Sequence, residues 1–78
     1  MKSTTKLCDL PIGSKGIVQH ISADISIRTR LIELGLIDNT EVCCIGASPL
    51  GDPRAYMIRG AVIALRSGEA ENIIIRSD

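Results

Sequence analysis

Aromatic side chains are nearly missing from this chain: Tyr56 is its only one, and phenylalanine and tryptophan are absent. Surfaces that stack single-stranded nucleic acid need exposed aromatics, and so do grooves for proline-rich peptides. The composition argues against both. A surplus of charge is missing too, since nine basic residues balance nine acidic ones. Nucleic-acid binders usually gather a basic excess on one face, so no nucleic-acid partner is expected. Apolar runs such as Ala61 to Leu65 and Ile73 to Ile75 fall far short of the ~18–20 residues that span a bilayer. The N-terminus carries no hydrophobic signal core. The expectation is a soluble, cytoplasmic protein that does not insert into a membrane.

Cysteine is scarce and poorly placed for a framework. Cys8, Cys43 and Cys44 are odd in number and two are adjacent, which does not suit disulfide pairing. Neighbours in a strand point to opposite faces, so Cys43 and Cys44 would not converge on one ion. No C-x-x-C or H-x-x-E-H spacing occurs, and a transition-metal site needs three or four converging side chains. A metal site would require His20 to meet Cys8 or one of the paired thiols by folding alone. His20 is the only histidine and sits among aliphatics, with no nucleophile–base pair evident. Asp24, Glu33, Asp38 and Glu41 read as caps, turns or solvated faces, and no phosphate-cradling glycine loop follows a strand. The chain is expected to be no enzyme, with no cofactor and no metal site.

What the sequence does have is β-branched aliphatics. Hydrophobic residues make up 45% of its 78 residues, enough for one domain spanning 1–78. So short a chain buries only about 60–65% of the surface its unfolded form exposes. Residues 1–6 are polar and read as a flexible end. Pro11 follows, and Gly13 and Gly16 read as the brackets of a tight turn. Ile17 to Ile21 is the first strand. A helix follows, capped by Asp24 or Ser26, with Ile27, Leu31 and Leu34 as its buried stripe. Gly35 suits the left-handed position that ends a helix, folding Leu36 back on Leu31. Asn39 is the turn residue best able to take positive φ.

Thr40 to Ile45 reads as a strand with Val42 and Cys44 inward and Cys43 exposed. Arg54 to Arg59 follows with Tyr56 and Ile58 inward, then Ala61 to Arg66 with Ile63 and Leu65 inward. A helical turn over 67–71 and a closing strand over 72–76 complete the order. So many short strands at close spacing make a mainly β chain, a small barrel or sandwich that closes its own edges.

Two features are not absorbed by packing. Pro49, Leu50, Gly51 and Asp52 lie in a loop stiffened by proline, where Leu50 would be an apolar tip facing solvent. Arg28 and Arg30 lie off the buried stripe of the helix. These six residues are the candidate partner-binding site.

The segments Arg30-Leu31-Ile32-Glu33-Leu34-Gly35-Leu36 and Ala47-Ser48-Pro49-Leu50-Gly51-Asp52-Pro53, with Arg59-Gly60 and Ala64-Leu65-Arg66 at this spacing, resemble the FeoA family. The likeness extends over roughly residues 5 to 76. It implies a small SH3-like β-barrel with a short inserted α-helix. It also implies a non-catalytic accessory or regulatory role in bacterial ferrous iron uptake, beside an iron permease whose cytosolic part includes a GTPase domain. The alternative is a small metal-binding protein, a chaperone or sensor using Cys and His ligands.

Overall fold

The computed structural model describes residues 3–77 and gathers the β-branched runs into strands. In chain order these are Ser3–Lys6 (β1), a 3₁₀ turn over Leu7–Asp9, Lys15–Ile21 (β2), helix Ile25–Glu33 (α1), Glu41–Ala47 (β3), Arg54–Ile58 (β4), Ala61–Leu65 (β5), the one-turn helix Ser67–Ala70 (α2) and Ile73–Ser77 (β6). The strands form one antiparallel sheet in the order β1-β6-β2-β3-β4-β5. Each short hairpin brings sequence neighbours together, and only β6 crosses back to lie between β1 and β2.

Alternation sends one face of each strand inward. Val42 and Cys44 of β3, Tyr56 and Ile58 of β4, Leu65 of β5 and Ile73 and Ile75 of β6 are buried, joined by Val18 and Ile21 of β2. No polar or charged residue is buried among those described. Leu7 and Leu10 close one side of this core. Arg54 then ties the ends of the curled sheet: its guanidinium donates to the Cys8 carbonyl at 2.7 Å, bringing the turn after β1 against β4. The result is a small SH3-like barrel.

Helix α1 begins and ends as its sequence dictates. The Asp24 carboxylate accepts from the Ile27 N–H at 3.0 Å, which satisfies an orphan donor of the first turn. That bond, then the Ser26 hydroxyl, holds the Asp24 pKa below the usual carboxylate value. At the other end Gly35 takes φ +102°. Leu36 N–H then reaches the Leu31 carbonyl at 3.1 Å and Gly35 N–H the Ile32 carbonyl at 2.9 Å. This is the Schellman pair of bonds, and it buries Leu36 beside Leu31.

Several expectations need correction. Residues 3–6 are not a loose end, because Thr4 to Lys6 pair with Ile74 to Arg76; residues 1 and 2 lie outside the described residues. Gly16 is no turn residue. It lies in β2, where an added Cβ would stand 2.7 Å from Ile75 Cδ1, so its bare backbone permits the close approach of β6. Ile27 does not join the buried stripe, being 37% exposed. The helix is buried only toward its C-terminal end, where Leu31 is buried and Leu34 half-buried, while its first turn is exposed. Cys43 is half-buried rather than exposed, since on the outer face it is flanked by Lys15 and Met57 across the ladders.

Because Leu31 serves both the core and the helix-ending fold-back, Leu31→Ala should cost about 2–5 kcal/mol. Urea melts of the two proteins measure it. A loss below about 1 kcal/mol would mean that α1 is not anchored through this residue.

Candidate functional site

The six candidate residues come from two elements, and a third connects them. That third element is α2. Its Glu69 carboxylate accepts from the Arg66 backbone N–H at 3.2 Å through Oε1 and pairs with the Arg30 guanidinium through Oε2. From the other side Asp52 Oδ1 accepts from the Ser67 N–H at 2.9 Å, and Oδ2 lies 3.9 Å from Arg66 Nη1. One helical turn thus holds α1 by an ion pair and the 48–53 loop by a cap.

The loop is also braced within itself. Ser48 N–H donates to the Pro53 carbonyl at 3.0 Å, Gly51 N–H to the Ser48 carbonyl at 2.8 Å, and the Ser48 hydroxyl to the Asp52 carbonyl at 2.7 Å. Pro49 presets φ at the second position of that turn, and Gly51 takes φ +88° after it. What this bracing presents is Leu50, 95% exposed.

The structure therefore divides the candidates. Arg30 and Asp52 are anchored on α2, Gly51 supplies a backbone conformation, and Pro49, Leu50 and Arg28 face solvent. Arg28 and Arg30, two residues apart, lie roughly 200° apart around a helix of 3.6 residues per turn. Arg28 accordingly faces away from α2, beside a hollow of about 350 Å³ shared with His20, Ile32, Ile37 and Asp38. A second hollow of about 370 Å³ lies between Arg28, Ile25, Thr29 and Ile32. The isoleucines are part of this surface and were not foreseen. Their spacing held a signal: Ile25, Arg28 and Ile32 stand at i, i+3 and i+7, a second stripe beside the buried one.

The nucleophilic and metal-ligating residues are spread out. Cys8 sits in the 3₁₀ turn, where burial, then Asp9, raises its thiol pKa. Cys43 lies on the outer sheet face, Cys44 in the core and His20 at the first hollow. Among the described residues no three of the His, Cys, Asp and Glu side chains group closely enough to hold a metal ion. Burial also pushes the Tyr56 hydroxyl pKa up, an effect that nearby Arg54 opposes. No helix among the described residues is long and apolar enough to cross a membrane.

Comparison with known proteins bears on what such a surface is for. The model of the FeoA domain matches residues 5–77. A FeoA-like protein of Clostridium acetobutylicum has a solved structure similar to this chain at 32% identity and TM-score 0.87, covering 96% of this chain and 87% of that one. Stenotrophomonas maltophilia FeoA, solved with zinc, is similar at 26% identity and TM-score 0.81, over 94% and 95% of the two chains. It is described as a prokaryotic SH3 domain protein and a suggested activating factor of ferrous iron transport. A manganese-dependent transcriptional repressor shares the fold at 20% identity and TM-score 0.88, this chain spanning 44% of its length. No protein of curated function matches the chain.

If α2 holds the loop through Asp52, then Asp52→Ala should destabilise the protein by about 1 kcal/mol, as loss of a cap does. Amide exchange at Gly51 and Ser67, read by NMR, should quicken in the same variant. Unchanged exchange at both would show that the loop is braced without the cap.

Proposed function

The chain belongs to the FeoA family, which is tied to ferrous iron transport, and from that premise we propose that it is a non-catalytic accessory subunit of bacterial ferrous iron uptake. It acts in the cytoplasm by binding the cytosolic, GTPase-containing region of the iron permease. The observation that carries this reading is the stiff presentation of Leu50, nearly wholly exposed on a loop braced at both ends. Exposed leucine gains by burial against a partner, and a rigid loop loses little freedom on association. The solvent-facing candidates Arg28, Pro49 and Leu50 form the contact surface. Arg30, Gly51 and Asp52 hold that surface in shape.

The iron is cargo of the permease in this reading, and the accessory chain acts on the transporter. Its contribution is a surface that the permease recognises. Arginine suits such a surface because its guanidinium stacks and forms paired hydrogen bonds while only weakly hydrated.

Leu50→Asp leaves every braced contact of the loop intact and should preserve the melting temperature. In a strain lacking the wild-type gene, this variant should support ferrous iron uptake at least about fivefold more weakly than wild type, while exposed Glu41→Ala should match wild type. Uptake of radioactive ferrous iron measures the difference. Equal uptake with folded Leu50→Asp would remove the loop from the working surface, and normal uptake without the chain would overturn the accessory role itself.

A further inference from the structure

Arg28 differs in its surroundings from the other arginine of its helix. Arg30 is paired with Glu69, whereas among the described residues no hydrogen bond or ion pair engages the Arg28 side chain. Exposed isoleucines flank it on both sides, with His20 and Asp38 also lining the first hollow. Ile25 is 83% exposed, Ile32 41% and Ile37 40%, and these line the two hollows that meet at Arg28 and Ile32. Leaving three isoleucines exposed around one unpaired cation gains nothing for the isolated fold. Their burial against a partner would be favourable in proportion to the area covered.

We propose that Arg28 and the two hollows beside it recognise a partner segment bearing one carboxylate flanked by aliphatic side chains. The carboxylate takes the guanidinium's paired donors, and one aliphatic residue enters each hollow. His20 lines the same first hollow and can add a further donor, while Asp38, which also lines it, disfavours a second acidic group there. This rests on the accessory reading above and names what the permease's cytosolic region must offer. The chain's own most exposed aliphatic, Leu50, does not supply such a segment. The nearby carboxylate, Asp52, already accepts from Ser67 and faces Arg66.

The test is calorimetric titration of the full chain with the purified cytosolic domain of the permease at two salt concentrations. Arg28→Glu should weaken binding about tenfold or more, the scale of a central interface residue, with no change in melting temperature. Replacing single surface Asp or Glu residues of the permease domain with Arg should identify one change that restores binding to Arg28→Glu. Ile25→Ala should weaken binding without altering its salt dependence, which a merely electrostatic patch would not show. If the wild-type chain does not bind the domain at all, the accessory reading and this inference fall together. If it binds and Arg28→Glu binds equally, only this inference is overturned. Sedimentation showing a dimer that Arg28→Glu dissolves and Asp38→Arg restores would assign the surface to a second copy and overturn the proposed partner.

Discussion

The carboxylate of Glu69 is the contact on which the outer surface of this molecule depends. It stands on a helix of one turn, too short to be stable by itself, and joins that turn to α1 through Arg30. Asp52 grips the same turn from the 48–53 loop. These are exposed or half-exposed polar contacts, and each one is modest in energy. Their effect is geometric: two elements far apart in sequence are held against one small hub, in addition to the anchoring of α1 in the core through Leu31.

Beneath that hub the core obeys a different constraint. With one aromatic residue and a short chain, every inward strand position must be filled by an aliphatic, a small residue or Tyr56. Among the described residues no charged side chain is buried there, and the Tyr56 hydroxyl is the polar group that the barrel encloses. The molecule separates into a largely aliphatic interior and a structured exterior. The exterior ends in Leu50 on one element and in Arg28 with its isoleucines on the other. That division fits a protein whose work is recognition.

Much of the fold could be read from residue order. A helix cap at Asp24 or Ser26, the left-handed Gly35 and Asn39, the inward Tyr56 and Ile58 and the exposed Leu50 all follow from local chemistry, and the structure has each of them, with Asp24 as the cap. The differences have long-range causes. Pairing of Ser3–Lys6 depends on β6, seventy residues away, and Gly16 is set by the approach of Ile75. Ile27 looked buried because helical spacing marks a stripe but not how far the helix overlaps the sheet. The site shows the same limit. Arg28 and Arg30 looked equivalent in sequence, and only the position of α2 separates the arginine paired with Glu69 from the one that faces the hollows. The isoleucine stripe was present in the spacing, yet three exposed isoleucines are recognisable only once the core is seen to be complete without them.

The most direct test is a map of amide resonances of the labelled chain as unlabelled permease cytosolic domain is added. The account predicts shifts or broadening at Ile25, Arg28, Ile32, Ile37 and Leu50. Cys43, Met57 and Val62, on the outer face of β3, β4 and β5, should stay unchanged. Perturbation confined to that sheet face, or none at saturating partner, would contradict the claim that α1 and the braced loop form the recognition surface.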